Sequence, residues 1–236
     1  MITTTRTGHM ATSTTEPTLA LFAWLSPSYP VGAFAYSHGV EWAIETGDVK
    51  DAETLARWIE TILEFGSGRN DAILFAAAFR AVNAGEPVGE IAELACALAS
   101  SSERRLESTQ QGAAFLAATT AAWPIAALEE IVRAVGAHTA YPVCFAAAAA
   151  AHGMALRPAL DGYLAAFSSN LVSAAVRLSV IGQTAGQGVV ARMASLAAQV
   201  ASIAEHATLD DLGSCAYRAD LASLHHETQY SRLFRS

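Results

Sequence analysis

Apolar residues along this chain recur with the period of a helix and almost nowhere with that of a strand. Leu55, Trp58, Ile59, Ile62 and Leu63 follow the i, i+3, i+4, i+7, i+8 spacing of one buried face. Glu53, Arg57, Glu60 and Glu64 lie opposite, and Glu53 precedes Arg57 in the favourable i, i+4 order. Asp51 is placed to cap this helix. A second clear stripe is Leu160, Leu164, Phe167, Leu171 and Leu178, with Asn170, Ser173, Arg177 and Thr184 on a polar side.

Turn residues mark off the other elements. Helices are predicted over 18–25, 36–46 (stopped by Gly47), 70–83 after a turn at Gly66-Ser67-Gly68, and 88–99. Ser100-Ser101-Ser102 caps a helix that runs to Trp123. Pro124 opens the next and Gly136 closes it. Pro142 and Gly153 bracket a helix of nearly pure alanine, which requires close neighbours on all sides. Pro158 opens the longest segment, weakened around Gly182 and Gly186, and helix resumes over 188–205. Thr208 or Asp210 caps a last helix through Ala222. Residues 1–17, rich in threonine and serine, read as a disordered tail, and 225–236 hold too few apolar groups to pack firmly alone. The expected fold is all-α: one bundle of about ten helices over 18–224, with a flexible tail at each end.

Composition narrows the chemistry. The chain is 53% hydrophobic, and alanine, the best helix former, supplies much of that figure. The net charge of −8, with scattered arginines, makes it a poor nucleic-acid binder. Lys50 is the sole lysine and sits in Gly47-Asp48-Val49-Lys50-Asp51, so no P-loop can be built. Cys96, Cys144 and Cys215 are odd in number and widely spaced, which suits a reducing cytoplasm and gives no zinc motif. The uncharged stretches 108–128 and 134–156 are broken by glutamine, histidine, glycine and proline, and read as packed helices, not membrane spans. A signal peptide over 19–25 is the weaker reading, because its basic flank is only Arg6.

Few residues suggest chemistry on their own. His225, His226 and Glu227 are adjacent, and neighbours on a helix point about 100° apart, so they do not form a one-face metal pair. His38, His138, His152 and His206 stand alone, and no G-x-S-x-G occurs. Gln183 and Gln187, beside two glycines, suit either a core hydrogen-bond cluster or close packing of another helix or backbone.

The stretch Ser26-Pro27-Ser28-Tyr29-Pro30-Val31-Gly32-Ala33-Phe34-Ala35-Tyr36-Ser37-His38-Gly39-Val40-Glu41 carries more. It resembles the front motif of the urease accessory protein UreF family, with alanines where the family usually has a second glycine and a serine. Three later segments are similar to that family in the same order. They are Ser102-Glu103-Arg104-Arg105-Leu106-Glu107-Ser108-Thr109-Gln110-Gln111-Gly112, the run from Asn170 to Leu178 with 181–187, and the ending Arg232-Leu233-Phe234-Arg235-Ser236. The resemblance covers about residue 19 to the end.

The resemblance implies an all-helical, cytoplasmic, non-catalytic protein with no cofactor of its own. Such a protein dimerises and joins the UreD (or UreH) scaffold and the UreG GTPase on apo-urease, modulates the GTPase, and leaves nickel to the assembled complex. By the same resemblance Tyr36 and His38 line the dimer contact or its rim, and Glu41, Arg104 and Gln111 form a surface for the GTPase. Gln183 and Gln187 belong to the partner-binding set. Arg232, Leu233, Phe234, Arg235 and Ser236 order when the scaffold docks, with Phe234 as apolar anchor. The competing expectation is a helical cofactor enzyme of haem or oxygenase type, with His38 or His152 as iron ligand.

Overall fold

The structure is a computed structural model that describes residues 15–136 and 139–236. The expected tail over 1–14 and the isolated His138 lie outside the described residues. Among the described residues there are eleven α-helices and no strand, as the periodicity requires.

The order is α1 (Thr15–Trp24), a 3₁₀ turn (Ala33–Ala35), α2 (Val40–Glu45), α3 (Ala52–Phe65), α4 (Ser67–Ala84), α5 (Gly89–Ala97) and α6 (Ser102–Ala122). Then come α7 (Ala126–Val135), α8 (Tyr141–Ala151), α9 (Leu156–Arg177), α10 (Gln183–Ala204), a second 3₁₀ turn (Leu209–Asp211) and α11 (Tyr217–His226). The alanine helix α8 is the centre, with every residue from Pro142 to Ala150 buried between α4, α6 and α9. Side chains of one carbon let three neighbours approach it, so each helix–helix contact removes backbone and methyl surface from water. At one end an aromatic cluster completes the core. Trp24 meets Phe115 and Phe145 edge-on at 5.4 and 5.7 Å, and Phe115 stacks on Phe145 at 4.9 Å. The predicted face of α3 is buried at Leu55, Trp58, Ile59, Ile62 and Leu63, and Asp51 caps it through a 2.8 Å bond from the Thr54 N–H.

Several boundaries differ from the expectation. Helix α1 already begins at Thr15, within the predicted N-terminal tail. The predicted helix over 36–46 is broken in its first half: Tyr36 is extended, and His38 and Gly39 take left-handed φ angles of 60° and 78°. Two successive left-handed residues turn the chain and leave only α2 helical. Gly66-Ser67-Gly68 is not a turn between helices separated by a gap, since α4 starts at Ser67 directly after α3. The long helix breaks at 178–182, earlier than predicted, so Gly186 lies inside α10, where a Cβ would come within 3.1 Å of Val172 and 3.2 Å of Val176. That glycine serves close approach of α10 to α9, as the packing alternative required. Thr208 caps only the second 3₁₀ turn, and α11 starts at Tyr217 and carries His225 and His226 within its last turn.

The largest difference is at the end of the chain. The expected loose segment 225–236 is anchored at four points: His226, Gln229, Phe234 (4% exposed) and Ser236 are buried, while Tyr230 and Leu233 between them stay exposed. Its scarcity of apolar residues misleads because most of what holds it is hydrogen bonding to buried polar groups. A backbone oxygen of Ser236 accepts from the Ser37 N–H at 2.7 Å and from the Ser37 hydroxyl, and the Arg235 N–H donates to the Ala35 carbonyl at 2.8 Å.

Candidate functional site: a buried polar seat for the last residues

The break before α2 presents Ser37, His38 and Glu41 inward, and the N-terminal half of α6 presents Glu103, Arg104, Glu107 and Gln111 toward them. Residues 232–236 lie across this junction. Glu41 is its hub: Oε1 accepts from the Leu233 N–H at 2.7 Å and Oε2 from the Phe234 N–H at 2.9 Å. A carboxylate that accepts two backbone donors here does what an N-cap does for a helix, satisfying groups that have no other partner. Glu103 accepts from Arg232 at 2.5 Å. Glu107 accepts from the Ser236 hydroxyl at 2.6 Å and from Gln111 at 3.3 Å, and is ion-paired with Arg104. The Phe234 ring is covered by the Arg177 guanidinium, 4.4 Å above its centroid.

His226, at the end of α11, lies between Glu103 (2.7 Å) and Glu41 (3.1 Å). Its neighbour Glu227 caps α6, with one oxygen accepting from the Ser102 N–H at 2.8 Å and the Ser102 hydroxyl at 2.7 Å. Negative charge at that helix N-terminus is favoured by its dipole.

Burial shapes the charges of the seat. The His38 imidazole touches Ser67 at 2.7 Å and lies 3.7 Å from Glu107. Burial, with the Arg104 charge adding to it, pulls His38 down to about 4, so it is neutral at pH 7. Burial would push the Glu107 carboxyl up, but the Arg104 charge, with His38 nearby, outweighs it and holds Glu107 well below the usual carboxylate range. Asp71 on α4 accepts from the Tyr163 hydroxyl at 3.0 Å, and burial raises it to about 6 against the opposing pull of Arg104.

Asp71 and His38 act on stability with opposite signs. Asp71 binds its proton more tightly folded than unfolded, so its contribution is present below about 3.8 and lost as pH rises through about 6. His38 binds its proton less tightly folded, so its contribution is present above 6.5 and lost as pH falls toward about 4. Asp71→Asn keeps an acceptor for Tyr163 and removes the charge. It is expected to raise stability at about pH 7.5 by on the order of 1–3 kcal/mol, with little change at about pH 4. It should also expose the His38 slope as a steeper loss below pH 6.5. Urea midpoints at the two pH values check this, and an equal shift at both would refute it.

Of the predicted partner-binding residues, the structure brings together Tyr36, His38, Glu41, Arg104, Gln111 and the five residues from Arg232 to Ser236. It places the first five inside: Tyr36 is buried, with its hydroxyl donating to Gln110 Oε1. Within the described chain they face the last segment. Phe234 is inside as well, so in this conformation it is not available as an anchor, whereas Leu233 is 57% exposed and Phe34 is 72% exposed. Gln183 and Gln187 are exposed on the first turns of α10, apart from the seat, which removes the core-cluster alternative for them. Sequence reasoning missed Ser37, Glu103, Glu107 and His226. The first three stood inside the quoted motifs, and no local pattern marks which motif residues turn inward.

The cofactor alternative finds no support. The His38 Nε2 is bonded to Ser67, and both ring nitrogens of His152 lie against carbonyls, those of Ala148 at 2.8 Å and Trp123 at 3.0 Å. The hollow of about 350 Å³ between α3 and α11, lined by Trp58, Arg57 and Cys215 among others, has no histidine in its wall. Among the described residues no group of three or more His, Cys, Asp or Glu is placed to hold a metal, and no helix is long and apolar enough to cross a membrane.

Comparison with known proteins agrees with this arrangement of motifs. Residues 49–194 match the family model UreF. A protein named urease accessory protein UreF from Xanthobacter autotrophicus is 53% identical over 220 residues, covering 92% of this chain and 90% of its own length. One of the same name from Methylorubrum populi is 53% identical and covers 92% of this chain and 98% of its own length. Another, from Bradyrhizobium diazoefficiens, is 49% identical over 231 residues, 97% of this chain and 96% of its own. An identity near one half across almost the whole length, together with a family model that matches more than half of the residues, makes this chain a member of the urease accessory protein UreF family.

Proposed function

We propose that this protein serves urease maturation as a docking body. It bridges the UreD/UreH scaffold and the UreG GTPase on apo-urease and modulates the GTPase, while nickel is handled by the assembled complex. It acts in the cytoplasm, as a homodimer, without catalysis of its own. The observation that carries the reading is the seat itself. The last five residues are held by polar contacts to α2, α6 and the turn before α2. Leu233 and Arg235 are left at the surface, and the Arg235 N–H is bonded to the Ala35 carbonyl next to exposed Phe34. A segment held mainly through hydrogen bonds can exchange them for a partner's at small net cost, because each such bond is worth only about 0.5–1.5 kcal/mol net. Phe234 then supplies apolar area to whichever surface it meets.

Leu233→Asp tests this with little effect on the fold, since that side chain is half exposed. It should lower recovery of the scaffold in a co-purification by about tenfold or more, as expected for loss of one central apolar contact. Deletion of 232–236 should abolish recovery altogether. Undiminished scaffold binding by both variants, with helix content preserved, would count against the assignment.

A further inference from the structure

His226 is fully buried, and each of its ring nitrogens faces a carboxylate from a different helix: Nδ1 faces Glu103 of α6 at 2.7 Å and Nε2 faces Glu41 of α2 at 3.1 Å. A neutral imidazole has one N–H. It would donate to one carboxylate and turn a lone pair on the other, with no solvent between them to screen the repulsion. The alternative home for a second proton is a carboxyl group, and those oxygens are already acceptors. Glu41 takes the Leu233 and Phe234 N–H groups, and Glu103 takes Arg232. Two protons on the ring make the junction neutral: Glu41 and Glu103 against His226 and Arg232. The other charges nearby have partners of their own: Glu45 accepts from the Gln229 amide at 2.5 Å, and the Arg235 side chain lies at the Tyr36 hydroxyl. Arg104 pairs with Glu107, Glu227 is bound at Ser102, and His225 stacks on Trp42 at 5.2 Å.

We infer that His226 is the imidazolium of a proton-linked clasp, and that loss of its proton loosens residues 232–236 from the seat formed by Glu41 and Glu103. Without that proton the junction holds one uncompensated negative charge in a buried place. The terminal segment is the part that gives, because Glu41 and Glu103 hold it directly while α2, α6 and α11 are fixed by the core. Turning either carboxylate to water frees the Leu233 and Phe234 N–H groups or Arg232. Partner capture through the freed segment rests on the function proposed above, but the clasp belongs to the isolated chain and is tested there without partners.

Two measurements decide it. Nitrogen-15 spectra of the imidazole should show both ring nitrogens protonated at about pH 7. Trypsin cleavage after Arg232, normalised to an unstructured peptide under the same conditions, should rise about tenfold between about pH 6.5 and about pH 9. His226→Gln, which carries no charge and offers a single amide nitrogen where two ring nitrogens face opposite carboxylates, should be cut at the higher rate at both pH values. A neutral tautomer at pH 7, a normalised rate that does not change with pH, or a His226→Gln chain as resistant as the parent at the lower pH would each overturn the inference. The spectra are taken on the unaltered protein, so the test stands even if the variant does not fold.

Discussion

Replacing Glu107 with alanine is expected to be among the most damaging single changes in this protein, at roughly 3–5 kcal/mol, because removing one partner of a buried ion pair leaves the other charge uncompensated. The Arg104 guanidinium would lose its carboxylate inside the protein, and Ser236 and Gln111 would lose an acceptor. The carboxyl is held below its ordinary range, so its contribution is present above about pH 4.5 and lost as pH falls. The difference between parent and variant should therefore be largest at neutral pH and shrink in acid. Glu107→Gln keeps an acceptor for the Ser236 hydroxyl and should cost less than alanine. Urea unfolding at neutral and acid pH checks both statements, and a loss under about 1 kcal/mol for the alanine variant would mean that Arg104 finds water.

Gly112→Ala is the second. Gly112 lies on α6, one residue past Gln111, where the chain entering α8 crosses it. A Cβ at this position would be 2.2 Å from the Thr139 carbonyl oxygen and 3.2 Å from the Tyr141 nitrogen. Backbone atoms cannot rotate aside as a flexible side chain would, so α6 and α8 must separate. The expected cost is at least the ~1–3 kcal/mol of overpacking. The same helix carries Arg104, Glu107 and Gln111, so its displacement should also raise the trypsin sensitivity of the terminal segment. Gly89→Ala is the control. That position meets nothing within 4 Å, and there alanine should be neutral or stabilising by about 0.4–1 kcal/mol. Equal melting temperatures for the two variants would show that the approach at Gly112 is not tight.

Both cases mark the limit of what the chain order discloses. Gly112 and Glu107 both stand in the second quoted motif, yet nothing in their spacing marks either as buried against a distant partner. Their burial depends on partners at 139–144 and 236, far along the chain. Helices were legible because their signals are local: the stripe on α3, the Asp51 cap, and the proline opening α8 each act within a few residues. The break at His38-Gly39 was not, since it is stabilised by the Ser37 contact with Ser236. The terminal segment read as loose because apolar content is a fair guide to core packing and a poor one to a polar seat.

The amino-acid order by itself determined the all-α class, the central alanine helix, the lack of a P-loop and the four family motifs, for these rest on residue type and near-neighbour spacing. The tertiary structure alone decided that the first, second and last motifs converge with Arg177 of the third, that Tyr36, His38, Glu41 and Arg104 face inward, and that His226 joins two carboxylates. The reason is distance along the chain. Glu41 and His226 are 185 residues apart, and charges so separated in sequence become a buried, compensated group only when the helices between them have packed.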